Sequence, residues 1–225
     1  MQGLAPHTGI IFDKISQLEC IKPYILVGGT ALSLQIGKRQ SEDLDFMRWR
    51  TSKTEKMEVD WYGIQKELET IAPIDNMNLM DIDHVEFRLA GVKLSFYANT
   101  RYSPVTAPVH VQNNLYVADL TSIGAMKMEV MMRRSTFRDY YDIYCLLQEG
   151  IDFHAMVDIA LRYSGHLLHT KNLYAMLTNS DRFVVDTNFQ QLQPQYTITP
   201  QEIEQYLHNI INGQSKRQNN TINGE

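Results

Sequence analysis

Two carboxylates spaced to share a strand face stand shortly after a glycine pair. They are Asp43 and Asp45 in Glu42-Asp43-Leu44-Asp45-Phe46-Met47, downstream of Val27-Gly28-Gly29-Thr30-Ala31-Leu32. Residues two apart on a strand point the same way. Carboxylates so placed repel each other and lose hydration unless positive charge lies between them. Mg²⁺ meets that need, because it binds through one or two carboxylates plus substrate phosphates. The alternative, two solvated acids on an edge strand, fits less well with the apolar Leu44, Phe46 and Met47 around them. Glycines between a strand and a helix let the backbone approach a ligand, and the first helical N–H groups can cradle phosphate oxygens. Thr30 can add a hydroxyl. Taken alone, Gly28-Gly29 reads equally well as a tight turn. It is neither a dinucleotide GxGxxG nor a P-loop, since the Lys-Ser/Thr ending is missing. A phosphate-binding turn followed by a metal-binding Asp-x-Asp is nonetheless the inventory for metal-assisted nucleotidyl transfer. In the link between them, Arg39 could contact a triphosphate or orient Asp45, and Ser41 could bond an acid or a phosphate. Plain surface exposure is equally compatible with both.

A site with two metal ions normally takes a third carboxylate from a neighbouring strand. In Gly91-Val92-Lys93-Leu94-Ser95-Phe96-Tyr97 the alternation puts Lys93, Ser95 and Tyr97 on one face, so Ser95 holds that place. Serine is a poor metal ligand. Glu86 could reach in from an adjacent strand, or be an exposed acid paired with Lys93 or Arg88.

A second constellation lies further on. Lys127 flanks an apolar face of Ile123, Met126, Val130 and Met131, and could neutralise charge on a transferring phosphoryl group. Glu129 and Arg133, four apart, suggest a surface pair. In Arg138-Asp139-Tyr140-Tyr141-Asp142 the two acids share a helix face. Asp139 could orient Lys127 or activate an attacking hydroxyl. Asp142 could anchor Arg138 or do the same work. An ion-pair network fixing two helices would also account for both. Tyr140, Tyr141 and Tyr144 suit packing better than stacking on a base.

These residues need a scaffold. Apolar spacing predicts a helix from His7 or Thr8 to about Glu19, with Ile10, Ile11, Ile15 and Leu18 on its stripe. A strand at Tyr24–Val27 precedes a helix from Thr30 to Ile36, capped by Gly37. Asp43–Met47 alternates as a strand. A helix is expected over 55–71, then strands over 78–82, 84–89 and 92–97 with a hairpin at Ala90-Gly91. One more strand over 115–118 leads to a helix capped by Asp119, and further helices over 136–147, 152–163, 168–177 and 200–211. The fold class is α+β: a small mixed sheet with flanking helices over 1–110, then a helical bundle over 111–200. Residues 201–225 read as a C-terminal helix and, from Gly213, a disordered polar tail.

Composition bounds the rest. The 225 residues are 44% hydrophobic, enough for a sizeable core. Two cysteines, Cys20 and Cys145, exclude a disulfide scaffold and fit a reducing, cytoplasmic setting. No apolar run could span a membrane, and the N-terminus does not read as a signal peptide. A net charge of -5 argues against a non-specific polyanion coat but leaves room for a local basic patch.

Gly28-Gly29-Thr30-Ala31-Leu32, then Arg39-x-Ser41-x-Asp43-Leu44-Asp45-Phe46, closely resembles the first motif of the AbiEii/AbiGii toxin group of nucleotidyltransferases. Ala125-Met126-Lys127 and Arg138-Asp139-x-x-Asp142-Ile143-Tyr144 look like its helical motifs, and the likeness spans roughly residues 22–148. The resemblance implies a polymerase-beta-like nucleotidyltransferase core and the toxin half of a toxin–antitoxin or phage-defence system. Relatives transfer nucleotides from an NTP to the 3′ end of tRNA. Carried over, Asp43 and Asp45 would hold Mg²⁺, Gly28, Gly29 and Ser41 the triphosphate, and Lys127 a phosphate. Asp139, ahead of Asp142, would activate the acceptor. A neighbouring antitoxin protein is the expected partner. Ser95 departs from members with an acid there. An NTP- or protein-binding module without transfer, and nucleotidylation of a protein or small molecule, are the alternatives.

Overall fold

The computed structural model describes residues 3–184 and 186–222. Helix α1 (Pro6–Ser16) opens on a proline, whose missing N–H costs nothing at a helix start. It buries Ile11, Phe12 and Ile15, but Ile10 is 77% exposed and leaves the expected stripe. Strand β1 (Ile25–Val27) runs into α2 (Gly28–Ile36), which Gly37 ends in the left-handed region. Strand β2 (Leu44–Trp49) carries Asp45, and Asp43 lies just before it. Helix α3 (Trp61–Leu68) starts later than expected, because Asp60 caps it by accepting from the Gly63 N–H at 3.0 Å. Glu55 instead accepts from Arg48 and from Thr51, outside any helix.

Strands β3 (Ile74–Asp81), β4 (His84–Leu89) and β5 (Val92–Asn99) form a meander. The β4–β5 turn has φ of 49° at Ala90 and 78° at Gly91, the geometry a tight two-residue hairpin demands. A hairpin of β6 (Val109–Gln112) and β7 (Leu115–Val117) follows, and β6 was not expected. The remaining elements are α4 (Leu120–Val130), α5 (Phe137–Gln148), α6 (Phe153–Tyr163), α7 (Thr170–Leu177) and α8 (Pro200–Ile222). Helix α8 continues through the positions read as the start of a tail, and residues 223–225 lie outside the described ones.

All the strands join one mixed sheet in the order β3-β4-β5-β2-β1-β7-β6. It is larger than the sheet expected, because β7 adds to β1 in parallel and brings β6 with it. Leu94, Phe96 and Ala98 of β5 are buried in the core, where Phe96 stacks on Phe46 at 5.0 Å. Lys93, Ser95 and Tyr97 alternate with them and face the opposite way. The helical half meets the sheet through shared core contacts. Tyr140 is fully buried, stacks on Phe183 at 3.9 Å and donates its hydroxyl to the Leu177 carbonyl. Tyr141 donates to the Lys38 carbonyl at 3.1 Å, and Tyr144 packs on Tyr196 and Tyr206, so all three tyrosines serve packing. Asp119 and Asp152 cap α4 and α6 as expected.

Helices α4 and α6 approach closely at Gly124, where a Cβ would lie 2.1 Å from Met156 Sδ and 3.0 Å from Leu146 Cδ1. Overpacking such a contact costs about 1–3 kcal/mol. Gly124→Val therefore lowers the urea-unfolding free energy by about that amount, and a variant as stable as the parent contradicts this packing.

Candidate active site

The glycine turn is shaped by what presses on it. Val27 pairs with Asp45 across the antiparallel β1–β2 ladder. Gly28 has φ 70°, and a Cβ there would lie 2.8 Å from Asp45 Oδ2. At Gly29 a Cβ would lie 2.6 Å from Arg39 Nη2 and 3.0 Å from Ser41 Oγ. Both glycines thus leave room for polar side chains held against the N-terminus of α2. The buried Thr30 hydroxyl pairs with Ser41 Oγ at 2.9 Å and donates to the Asp43 carbonyl. Thr30 and Ser41 therefore tie the link to α2, which leaves the backbone of the turn facing the site.

Asp43 is half-exposed, and Lys93 Nζ stands 3.4 Å from its Oδ2. Among the described residues no hydrogen-bond donor or ion-pair partner engages the Asp45 carboxylate. Burial pushes its pKa up, Lys93 pulls it back, and the Asp43 charge adds to the rise. Strand register puts Ser95 directly opposite Asp45 and Glu86 directly opposite Ser95. Ser95 Oγ is 3.2 Å from His84 Nε2, and Glu86 Oε1 is 3.8 Å from the same nitrogen. Glu86 thus sits beside His84, while Lys93 turns to Asp43 and Arg88 donates to the Gly91 carbonyl. Among the described residues no three Asp, Glu, His or Cys side chains converge to hold a metal ion. The donor set offers the two aspartates, which suits Mg²⁺ completed by substrate phosphates.

Lys127, on α4, is 6% exposed, with Nζ 2.9 Å from Asp139 Oδ1 and 2.6 Å from Asp142 Oδ2. Asp142 also takes the Arg39 fork, Nε and Nη2 each donating at 2.7 Å. Arg39 thereby binds Asp142 rather than Asp45, and its Nη1 donates to the Gln40 carbonyl. Asp142 does not anchor Arg138, which pairs with Asp186. Asp139 accepts from Arg134 at 2.8 and 3.1 Å and from the Thr136 hydroxyl at 2.7 Å. Burial alone would raise both acids. Lys127 and Arg134 outweigh it and hold Asp139 well below the usual carboxylate range, and Arg39 and Lys127 do the same for Asp142. Burial opposes the Lys127 charge, but the two acids raise its pKa, so it stays an ammonium.

Two clefts meet at these residues. One, of about 600 Å³, lies between the sheet face and α4 and is lined by Met47, Tyr97, Arg101, Met126 and Arg133 among others. The other, of about 520 Å³, lies at the glycine turn and is lined by Gly29, Ser41, Asp43, Lys93 and Arg138 among others. Asp45, Lys127, Arg134 and Asp139 line both. Sequence reasoning missed Arg101. It also misread Glu129, which is 2% exposed and accepts from Arg101 at 2.8 Å and from both Arg133 terminal nitrogens at 2.9 and 2.6 Å. The local Glu-x-x-x-Arg spacing showed one partner, while the other, Arg101, lies just past the end of β5, 28 residues away.

Known proteins resemble this chain in sequence or in fold. A family model described as nucleotidyl transferase AbiEii toxin, type IV TA system, matches residues 10–209. An uncharacterised protein of Aquifex aeolicus (strain VF5) is 26% identical over 152 residues, covering 66% of this chain and 69% of that protein. The nucleotidyltransferase toxin MenT4 of Mycobacterium tuberculosis H37Rv superposes with a TM-score of 0.55 at 15% identity, over 83% of this chain and 74% of that one. JHP933 of Helicobacter pylori superposes with a TM-score of 0.49 at 18% identity, over 97% and 99% of the two chains. No helix among the described residues is long and apolar enough to cross a membrane. The matched region takes in the glycine turn, the aspartate pair, Lys127 and the acids of α5 together, and the chain belongs to the AbiEii family of nucleotidyltransferase toxins.

Proposed function

We propose that this nucleotidyltransferase moves a nucleoside monophosphate from an NTP to the 3′ end of tRNA, as the toxin of a toxin–antitoxin or phage-defence pair. The observation that carries the reading is the junction of the two clefts, where an unpartnered Asp45 and a fixed Lys127 face the same space. The recess at the glycine turn suits a triphosphate, with backbone N–H groups at the start of α2 and the cations Lys93 and Arg138 on its walls. Asp43 and Asp45 would hold Mg²⁺, which when bound supplies Lewis-acid polarisation of the phosphoryl oxygens. The larger cleft suits the acceptor end: Tyr97 offers a ring for a base, and Arg101 and Arg133 offer charge for its phosphates. An acceptor hydroxyl presented there attacks the α-phosphate in line and gives up its proton to solvent in the open cleft, and pyrophosphate leaves through the recess.

Lys127 neutralises charge that develops on the transferring phosphoryl group. Asp139 and Asp142 keep it protonated and aimed. Their carboxylates are held by several donors each, which supports a positioning role for both, with Asp139, which lines both clefts, the one placed to activate the acceptor. The family's toxin–antitoxin description supports a protein antitoxin as partner.

Incubation with labelled NTPs, Mg²⁺ and total tRNA should place label on tRNA, and Asp43→Ala and Asp45→Ala should each lower transfer by about 10²–10³-fold while remaining folded. Label appearing instead on protein or on small molecules would move the acceptor out of the tRNA class, and retained activity in both variants would sink the assignment.

Stability should separate the acids. Asp142→Asn leaves the Arg39 and Lys127 charges underpaired and costs about 3–5 kcal/mol, whereas Asp45→Asn removes a desolvated, unpartnered charge and leaves metal-free stability equal or higher. For Asp139 and Asp142 the folded pKa lies below the unfolded one. Their contribution is therefore complete above the unfolded value of about 3.9 and is lost as pH falls through the lower folded values. Acid titration followed by circular dichroism should show an earlier, steeper loss of stability in the parent than in a variant lacking Asp142, relative to each protein at neutral pH.

A further inference from the structure

Two carboxylates and one ammonium meet on the face of the sheet at the glycine-turn recess, with Glu86 on the same face but outside the recess lining. Asp43 and Asp45 come from the β2 segment, Glu86 from β4 and Lys93 from β5 between them. Lys93 Nζ lies 3.4 Å from Asp43, and its side chain is only one-third exposed. Of the two aspartates at the recess, Asp43 already has an ammonium beside it. A second divalent cation beside the first would have to sit close to that ammonium, at a cost set by like-charge repulsion in a partly desolvated site. The ligand that a second ion would need is also missing, because the position opposite Asp45 holds Ser95, whose hydroxyl is neutral and engaged by His84 at 3.2 Å.

We propose that this site takes a single divalent cation, held by Asp45 and Asp43, and that Lys93 supplies the positive charge that a second metal ion would otherwise bring. The inference rests on the nucleotidyl-transfer reading above and assigns within it how the negative charge of the aspartate pair and the triphosphate is balanced. Lys93 lines the recess together with Gly29 and Asp43, so its ammonium can face both the aspartates and an incoming phosphate.

The test counts metal rather than turnover. The full chain is saturated with Mn²⁺ and a nucleoside 5′-(α,β-methylene)triphosphate, separated from free ligand, and assayed for bound nucleotide and manganese. Electron paramagnetic resonance then reports whether the manganese is isolated or spin-coupled, since paired ions in two-metal sites lie about 3.5–4 Å apart. One Mn²⁺ per nucleotide with an isolated-ion spectrum is expected for the parent. In the double variant Lys93→Met, Ser95→Asp, two per nucleotide with a coupled spectrum are expected. Two coupled ions in the parent overturn the single-cation site while leaving nucleotidyl transfer standing. A parent that retains neither nucleotide nor manganese overturns the transfer site and this inference with it. The parent count decides the matter even if the double variant fails to fold.

Discussion

The structure depends on one buried carboxylate. Asp142 is completely excluded from solvent, yet it carries a charge because Arg39 grips it with two hydrogen bonds and Lys127 with a third contact. Each cation comes from a different part of the chain. Arg39 belongs to the link after α2, Lys127 to α4, and Asp142 itself to α5. The interaction therefore joins the strand–turn–helix unit that carries the glycines to the helical half. Taking these groups out of water is expensive, and the return comes only if all of them are in register. That all-or-none character makes the network a device for geometry: the helices dock in the arrangement that closes it.

Asp45 shows the opposite treatment a short distance away. Lys127 and Arg134 bind Asp139 and leave Asp45 without a donor, although both lower its pKa through space. A protein built only for stability would pair this carboxylate or replace it. Leaving a desolvated carboxylate unsatisfied beside an ammonium that is already committed costs stability, and such costs concentrate at sites that await a ligand. Neighbouring acids are thus divided by environment, the ones on α5 satisfied and the one on β2 left open.

Local chemistry was legible in the sequence and distant pairing was not. The Asp43–Asp45 spacing, the Gly28-Gly29 break, the Ala90-Gly91 hairpin and the Asp119 and Asp152 caps each depend on a few adjacent residues, and their elements formed where expected. The resemblance that tied these pieces together holds over 10–209, well beyond the quoted motifs. The partnership of Arg39 with Asp142 spans 103 residues and leaves no local trace. Arg138 was read with Asp142 four residues on, but its partner, Asp186, is 48 away. Ile10 shows the limit of periodicity, since an apolar residue one step off the stripe counts the same in a pattern and opposite in the fold. Short β6 was hidden because it has four residues, none of them buried, and so shows no alternation of buried and exposed side chains.

The same construction recurs at Glu129 with a different outcome. Like Asp142 it is a buried acid with two cationic partners, Arg101 and Arg133. Asp142 draws its cations inside, with Arg39 and Lys127 both nearly inaccessible, whereas Arg133 keeps a side chain 56% exposed on the wall of the larger cleft. A buried anchor with solvent-facing cations presents positive charge at a fixed position without the mobility of a free arginine, and fixed charge loses less entropy when it meets a phosphate. In the reading proposed here, one anchor fixes the lysine that serves the chemistry and the other fixes the arginines that receive the acceptor. The reaction centre and the acceptor surface are therefore built on separate acids. A change in the Glu129 anchor can alter which acceptor enters while the Asp142 anchor keeps the transfer site intact.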